Sequence, residues 1–375
     1  VLAVDIPSGI RGDTGEIPDG GGALVADATV TFAALKPGLL LGAGPAHTGP
    51  VALAGIGLGR RAADAASAWL VTDADAALLP PRPPEGHKWQ TSVGVVAGSP
   101  GMTGAPWMLS RAAMRAGAGY VRLGIPGVEP GDAGLPPGEA VGVPVPPDRW
   151  AGAVERCRAV VVGPGLGRPD EPGPGTPVGR LLVDAGDLPA VVDADGLNAL
   201  GSFDAVAAVT ARRSAPVVLT PHAGEWARLA GAPPGADRIA EVRDAARRSG
   251  AVVLLKGSVT VVAAPDGRVL VGGSGSPRLA TAGTGDVLSG VIGAFLARGM
   301  APLEAAGLAA HVHGRAAASG PSEGLLAADL PDLVSSWLSA HVEPRPSAAL
   351  DVAAERVAAR EDRGAGRGQG TVTAW

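Results

Sequence analysis

The sequence has one cysteine, three lysines and no long run of like charge or of apolar residues. The lone Cys157 excludes an internal disulfide and suits the reducing cytosol, so we expect a cytoplasmic protein. A formal net charge of −5 without charge runs gives no reason to expect a nucleic-acid or anionic-membrane partner. No apolar stretch reaches the roughly 18 residues that a membrane-spanning helix needs.

Glycine and proline are abundant, with 58 and 35 residues, about a quarter of the chain. They punctuate apolar runs, and apolar residues make up 46% of the sequence, which is ample for a core. This pattern indicates tight turns in a folded α/β protein. A length of 375 residues suggests two domains, or one large domain with appendages.

The chain divides into four parts by composition. Residues 1–76 hold three strand-like runs, of which the first, at Val1–Ile6, reads as a buried strand and not as a signal peptide. Residues 77–86 form a proline-rich linker. From residue 87 to 342, Val/Leu-rich runs alternate with helical patterns, which predicts a parallel sheet buried on both faces. Residues 343–375 are polar and low in complexity, and we expect disorder there.

The segment 280–296, ATAGTGDVLSGVIGAFL, places two glycines and a lone carboxylate at the start of an apolar helix. Apolar residues recur in pairs four apart along it, which predicts one helical face. Unpaired N–H groups at a helix start favour an anion, and Gly283 and Gly285 let the backbone close around a phosphate. Asp286 is then either a helix cap or a base that accepts a hydroxyl proton. The flanking glycines favour the base.

Other turns carry polar residues whose roles the residues alone leave open. The turn VVVGPGLGR has the spacing GxGxG, so it is a poor dinucleotide fingerprint and is better explained as a turn that lines a site. Lys256 follows a strand in a turn that we expect to be exposed. Asp193, Asp195 and Asn198 end another strand, where they fit either turn and cap chemistry or the binding of Mg²⁺ or another ligand.

The histidines do not form a metal motif. His222 ends a strand without a second histidine at ligand spacing, and a lone histidine is more often structural. His311 and His313 are two apart and face different sides of a helix, so we expect no zinc site.

Taken in order, these motifs resemble a known family. From His87 to about residue 320 the chain is similar to the ADP/ATP-dependent NAD(P)H-hydrate dehydratases. The resemblance rests on the following segments: HKWQTSVGVVAGSPGMTGA, AMRAGAGYVRL, VVGPGLG, VVDADGLNAL, LTPHAGE, LLKGSVTVV and LATAGTGDVLSGVIGAFLARG. It implies a ribokinase-like three-layer α/β/α fold with a mainly parallel central sheet. Through AVDIPSG, ADATVTFAALKPG and GIGLG, residues 1 to about 60 resemble the end of the NAD(P)HX epimerase domain, and so imply a remnant of a Rossmann-like domain.

The resemblance implies an ADP-dependent dehydration of (6S)-NAD(P)H hydrate. Phosphorylation of the C6 hydroxyl makes it a leaving group, elimination restores NAD(P)H, and AMP and phosphate are released. ADP or ATP is the expected co-substrate and Mg²⁺ the expected cofactor. The expected partners are NADHX and NADPHX, in a homo-oligomer.

The resemblance also implies roles for individual residues. Asp286 is the base, and Gly283, Thr284 and Gly285 hold the transferring phosphate. The implied ADP or AMP contacts are Lys256, Gly257, Ser258, Val259, Thr260 and Gly285. The implied hydrate contacts are Gly104, Ala105, Leu109, Gly165, Gly167, His222 and Asp286. No residue is assigned to a metal.

The front of the chain matches the epimerase pattern at two positions only. Asp5 corresponds to the substrate-binding aspartate and Ser8 to a potassium ligand, while the other potassium ligands have no counterpart. We therefore expect no epimerase activity, and K⁺ only if that activity were intact. The alternatives are a bifunctional enzyme, a kinase of the same fold acting on a vitamin precursor or sugar, and a non-catalytic nucleotide-binding protein.

Overall fold

The structure is a computed structural model that describes residues 1–82, 85–131, 138–147 and 149–342. The disorder predicted for residues 343–375 concerns residues outside this description. The strands are β1 (Leu2–Val4), β2 (Ala28–Phe32), β3 (Val51–Ala54), β4 (Trp69–Leu70), β5 (Ser92–Val96), β6 (Tyr120–Gly124), β7 (Val141–Val143), β8 (Ala159–Val162), β9 (Ala190–Val192), β10 (Val217–Leu219), β11 (Val252–Leu255), β12 (Thr260–Ala263) and β13 (Val269–Gly272).

The helices follow the strands along the chain. The α-helices are α1 (Gly44–Thr48), α2 (Gly59–Asp64), α3 (Gly104–Arg115), α4 (Pro177–Asp184), α5 (Asp195–Leu200), α6 (Phe203–Thr210), α7 (Ala223–Ala230), α8 (Arg238–Ser249), α9 (Thr284–Ala297), α10 (Pro302–Ser319) and α11 (Leu330–His341). Short 3-10 helices lie at Pro37–Leu39, Asp73–Leu78, Lys88–Thr91, Trp150–Val154 and Pro277–Leu279.

The main sheet has ten strands in the order β4-β13-β12-β11-β10-β9-β8-β5-β6-β7. Its pairs are parallel except for β11 with β12 and β12 with β13, which are antiparallel. The central strands β5, β8, β9, β10 and β11 are buried along their whole length. This confirms the mainly parallel sheet that the Val/Leu-rich runs predict, since such runs need cover on both faces.

Helices cover both faces of this sheet. Successive strand residues point to opposite faces, so Val161 packs with one apolar cluster while its neighbours Val160 and Val162 pack with the other. The first cluster includes α3, α9, α10 and α11, and the second includes α4 to α8. The three layers position α9 centrally, where Gly290 lets it approach α3 so closely that a Cβ there would overlap the carbonyl oxygen of Leu109.

The first three strands form a separate parallel sheet in the order β1-β2-β3. The predicted strand at the start of the chain is present, but the prediction that it is buried is wrong. Leu2 and Val4 are 62% and 65% exposed, and only Ala3 between them is buried, because one face of this small sheet is uncovered. The small sheet connects to the rest of the protein through Leu41, which belongs to the same buried cluster as α4 to α8.

Residues just before the predicted linker join the main sheet. Strand β4 pairs in parallel with β13, and Val71 continues the pairing through a hydrogen bond to the carbonyl of Val271. Asp73 then contacts the His311 ring at hydrogen-bond distance and forms an ion pair with Arg315, both on α10. Within the linker, Leu79 is buried in the first apolar cluster. The boundaries at 76 and 86 remain predictions, with residues 69–79 packed against the large unit.

Candidate active site

Three polar residues follow neighbouring parallel strands at one edge of the main sheet. Asp193 comes directly after β9, His222 follows β10 by three residues, and Lys256 comes directly after β11. Since β9, β10 and β11 are adjacent and parallel, these side chains meet where ligands bind in open α/β sheets. Helix α9 begins beside them, as its residue Gly285 lies close to Lys256.

Lys256 is held by two buried carboxylates. Its Nζ lies 2.8 Å from Oδ1 of Asp193 and 3.7 Å from Oε2 of Glu225. Burial lowers the pKa of the Lys256 ammonium, but the two carboxylates outweigh burial and raise that pKa above its ordinary value. The lysine is therefore charged, and its side chain is only 20% exposed. The expectation of an exposed turn lysine is wrong, because the strand end directs the side chain inward to this pair.

Asp286 is the third residue of α9 and does not cap it. The cap position belongs to Gly283, which has a φ of +93°, so the simpler interpretation of Asp286 as a cap is wrong. Its carboxylate is half-buried, and no hydrogen-bond donor contacts it within the part of the chain that the structure describes. Burial, then the negative charge of Asp193, raises the pKa of Asp286 to about 7. A carboxyl with this pKa is matched to accept a proton at neutral pH.

The start of α9 has the backbone that an anion needs. Gly285 faces the lysine, because a Cβ built on it would lie 3.4 Å from Nζ of Lys256 and 3.8 Å from Oδ2 of Asp193. The hydroxyl of Thr284 donates to the carbonyls of Leu279 and Thr281, so it fixes the preceding loop instead of facing a ligand. Gly285 in the first turn therefore lies next to the ammonium of Lys256, and a helix start beside a positive charge suits a phosphate.

A cavity of about 400 Å³ opens beside this helix start. Of the predicted nucleotide contacts, it is lined by Lys256, Gly257, Ser258, Thr260 and Gly285. Val259 instead packs against the second apolar cluster. The cavity is also lined by Thr284 and His222. Its other lining residues were not predicted as ligand contacts from the sequence; they are Gly275, Ser276, Pro277, Leu279, Ala280, Leu288, Ala310 and His313.

His313 is the unexpected polar group of this wall. It is 5% exposed, and its Nε2 is buried without a hydrogen-bond partner among the described residues. Burial lowers the pKa of His313 to about 4, so the ring is neutral at physiological pH. The spacing of His311 and His313 in the sequence gave no sign that the ring of His313 reaches this cavity.

His222 caps helix α7 next to the cavity. Its Nδ1 accepts hydrogen bonds from the backbone N–H groups of Gly224 at 2.9 Å and Glu225 at 3.3 Å. The backbone N–H of His222 donates in return to Oε2 of Glu225. The ring is more than half exposed. His222 lines the same cavity as the predicted nucleotide contacts, whereas the resemblance assigns it to the hydrate, so its role stays a prediction.

The other predicted hydrate contacts adjoin one another on the far side of Asp193. A Cβ on Gly165 would lie 3.5 Å from Cβ of Ala105, at the start of α3, where Gly104 is exposed. The hydroxyl of Ser99 donates to the carbonyl of Gly165 and fixes the turn. Leu109, by contrast, has no exposed surface and lies in the core, so its part in binding stays a prediction.

The GPGLG turn is attached to the end of β9. Oδ2 of Asp195 accepts from the N–H of Gly167 at 2.9 Å, and Oδ1 accepts from the side-chain amide of Asn198 at 3.1 Å. Arg228 then donates to the amide oxygen of Asn198 at 2.7 Å. Asp195 and Asn198 therefore link the GPGLG turn, α5 and α7, and neither of them caps α5, whose cap position is Ala194.

At the front of the chain, Asp5 ends strand β1 with a φ of +70°. Its carboxylate accepts from the ammonium of Lys36, the hydroxyl of Thr31 and the N–H of Phe32. Hydrogen bonding to Lys36 lowers the pKa of Asp5 below its ordinary value. Ser8 is exposed on the following loop.

Neither a metal cage nor a membrane span is found in the described ranges. Within them, no group of three or more His, Cys, Asp or Glu side chains is placed to hold a metal ion. The helices there are also too short or too polar to cross a bilayer.

A family model described as NAD(P)H-hydrate dehydratase matches residues 93–339. This range contains every predicted site residue except Asp5 and Ser8 of the epimerase-like segment. The chain belongs to this family. This membership confirms the family resemblance that the ordered motifs carry. A second model, the YjeF-related protein N-terminus, matches residues 1–38.

Curated relatives of this chain are named as bifunctional NAD(P)H-hydrate repair enzymes. The chain is 42% identical over 360 residues to the bifunctional NAD(P)H-hydrate repair enzyme Nnr of Salinibacter ruber, covering 89% of this chain and 65% of that protein. It is 45% identical over 314 residues to the enzyme of the same name from Mycobacterium tuberculosis H37Rv, covering 82% and 60%. The chain thus spans less than two thirds of the length of these relatives.

Solved structures agree on the fold of the dehydratase. The ADP/ATP-dependent NAD(P)H-hydrate dehydratase of Bacillus subtilis, co-crystallised with ATP/Mg²⁺, matches with a TM-score of 0.59 and 28% identity, covering 73% of this chain and 99% of that chain. A ribokinase-like superfamily protein from Enterococcus faecalis has a TM-score of 0.59 at 20% identity, covering 74% and 98%, which is a likeness of fold alone. The predicted ribokinase-like fold is confirmed.

Proposed function

We propose that this chain uses ADP to dehydrate (6S)-NAD(P)H hydrate, releasing NAD(P)H, AMP and phosphate. The observation that carries the proposal is the position of Asp286, a half-buried carboxyl with a raised pKa of about 7 next to the charged Lys256 and the start of α9. A proton acceptor and an anion site are thus within one helical turn. The Bacillus subtilis relative is an ADP/ATP-dependent dehydratase, which supports the choice of nucleotide.

The chemistry divides between two steps. Asp286 accepts the proton of the C6 hydroxyl as its oxygen bonds to the terminal phosphorus of ADP, and the bond to the AMP oxygen breaks. The N–H groups at the start of α9 and the ammonium of Lys256 stabilise the charge on the transferring group. The C6–phosphate bond then breaks with loss of a proton from the adjacent ring carbon, which restores the double bond and releases phosphate.

Mg²⁺ is part of the proposal because nucleotides are commonly used as their magnesium complexes. The described residues provide no cage of three or more ligands, and both oxygens of Asp193 are bonded to protein groups. A magnesium ion would therefore enter on the phosphates, whose charge it would neutralise. The sequence left open whether the Asp193 turn binds Mg²⁺, and the proposal does not depend on such binding.

The deciding experiment compares the purified chain with its Asp286→Asn variant on (6S)-NADH hydrate and ADP. We expect a loss in kcat of at least roughly 10²–10⁴, because Asn preserves the shape but cannot accept the proton. ADP binding, measured by calorimetry, should be largely retained. Near-normal turnover of the variant would contradict the assignment of the base.

The products distinguish the rival kinase. A dehydratase forms NADH and AMP in equal amounts, whereas a kinase that does not eliminate leaves a phosphorylated hydrate that mass spectrometry detects. An absence of turnover with bound ADP would instead favour a non-catalytic nucleotide-binding protein.

We propose further that residues 1–76, as they stand in this chain, do not support epimerisation. Asp5 is already bonded to Lys36, Thr31 and Phe32, and the small sheet has one open face. Assembly as a homo-oligomer and the domain limits 1–76 and 87–342 are likewise proposals.

A further inference from the structure

Asp193 is almost completely buried, and the hydrogen bonds of its side chain lead out of its own turn to distant parts of the chain. Its Oδ1 accepts from Nζ of Lys256 at 2.8 Å, and its Oδ2 accepts from the hydroxyl of Ser289 at 2.7 Å. Ser289 is fully buried in the second turn of α9. One carboxylate thus connects the end of β9, the end of β11 and the helix that carries Asp286.

Asp193 lies between the two predicted ligand regions, with its backbone against one and its carboxylate beside the other. A Cβ on Gly163, at the start of the GPGLG turn, would overlap the backbone oxygen of Asp193, so that turn rests directly on it. On the opposite side, Oδ2 of Asp193 would lie 3.8 Å from a Cβ on Gly285, at the phosphate position. A shift of Asp193 would therefore reach both regions together.

Negative charge exceeds positive charge in this buried cluster. Three carboxylates, from Asp193, Glu225 and Asp286, surround the single ammonium of Lys256. The titratable groups facing Asp286 from the elements packed around it are Asp193 after β9, Asp195 of α5, Lys256 after β11, and His222 and Glu225 at α7, with His313 of α10 beyond the lysine. In such a cluster the charge of one carboxylate makes its neighbour a stronger base.

We propose that Asp193 is a positioning residue of the dehydration reaction, which fixes Lys256 at the phosphate site and strengthens Asp286 as a base through its charge. This inference rests on the proposed function for its kinetic consequences but not for its effect on Asp286 itself. The Asp193 carboxylate is almost completely buried and both of its oxygens are bonded to protein groups, so it has no oxygen left to bind a ligand directly. It acts on the hydrate through Asp286 and on the nucleotide through Lys256.

The test uses Asp193→Asn, which preserves shape and removes the charge. We expect kcat to fall about 10²-fold, as for a misplaced reacting group, and KM for ADP to rise more than KM for the hydrate. We also expect the acid limb of kcat/KM to move to lower pH, since loss of the neighbouring charge weakens Asp286 as a base. A residue that merely stabilises the fold would move neither the limb nor the ratio of the KM values.

The matched control is Asp204→Asn, the same change at an exposed carboxylate in the first turn of α6, which pairs with Arg248. It should leave activity, pH profile and both KM values unchanged. Ser289→Ala is the second variant, and it removes one hydrogen bond while the charge of Asp193 stays. We expect a loss in kcat of roughly tenfold with the acid limb in its original place. Unchanged kcat in Ser289→Ala would overturn the positioning role even if Asp193→Asn did not fold.

A measurement without turnover separates this inference from the proposed function. Aspartate carboxyls labelled with ¹³C are titrated by NMR in the ligand-free protein, and the Asp286 signal is the one that Asp286→Asn lacks. Its midpoint should move to lower pH in Asp193→Asn. If it moves while the wild type converts no hydrate, the proposed function fails and the link between Asp193 and Asp286 stands. If it does not move and the ratio of the KM values is unchanged, the inference is wrong.

Discussion

Replacing Gly285 by alanine should separate activity from stability. Gly285 is the second residue of α9 and does not need a left-handed φ. An added Cβ would meet Nζ of Lys256 at 3.4 Å and Oδ2 of Asp193 at 3.8 Å, which are ordinary contact distances. Because alanine is the better helix former, the free energy of unfolding should stay the same or rise by up to about 1 kcal/mol.

The methyl group would nevertheless stand where a phosphate oxygen must pass to reach the helix N–H groups. Removing one preorganised donor to a developing charge costs about 10²–10³ in kcat, and we expect a loss of this size in Gly285→Ala. Chemical denaturation measures the stability, and the release of AMP with saturating hydrate measures the rate.

Gly283→Ala is the informative contrast. Its φ is +93°, and a Cβ there would lie 2.5 Å from Cε of Met108, so this variant should lose both stability and activity. If Gly285→Ala kept full activity with an unchanged KM for ADP, the helix start would not be the phosphate site. A loss of several kcal/mol in Gly285→Ala would show instead that the helix start is packed differently.

Three further predictions follow from the same geometry. Lys256→Ala should raise KM for ADP more than KM for the hydrate. It should also lower the melting temperature, because Asp193 and Glu225 would keep buried charges without their partner. An increase in KM for the hydrate alone would show that this loop contacts the hydrate and not ADP. In the wild type, kcat/KM should rise with pH through about 7 and then level off, since Asp286 must lose its proton to act as the base; a flat profile from pH 5 to 9 would exclude this carboxyl as the titrating base. Given mixed R and S hydrates with excess ADP and Mg²⁺, the chain should show a fast phase that stops when the S form is exhausted; rapid completion that slows when K⁺ is removed would show that epimerase activity survives.

Local sequence patterns predicted the parts of the site that are continuous in the chain. The helix start with Gly283, Gly285 and Asp286, and the turn after β11, are each read within a few residues. Apolar periodicity and turn chemistry act at that range, so both elements were placed correctly. The burial of the main sheet was also predicted correctly, because each central strand is a short continuous run of apolar residues.

The network around Asp193 could not be found in this way. Lys256 and Ser289 are 63 and 96 residues from their common partner, and only the strand order brings them together. The same holds for His313, whose buried ring reaches the cavity because α10 packs against α9. Leu109 was instead predicted to bind the hydrate because it belongs to a motif beside a ligand turn. Its side chain is fully buried in the core, because it lies on the inner face of α3.

Strand β4 belongs to the main sheet but lies outside the residues that the family model matches. The family match begins at residue 93, but β13 depends on residues 69–71 for its outer neighbour, and Asp73 ties the same segment to α10. A gene shortened to the matched region would therefore produce a protein with a bare, apolar sheet margin, which invites self-association. A fragment intended for crystallisation or for transplantation into another repair enzyme should begin before Trp69.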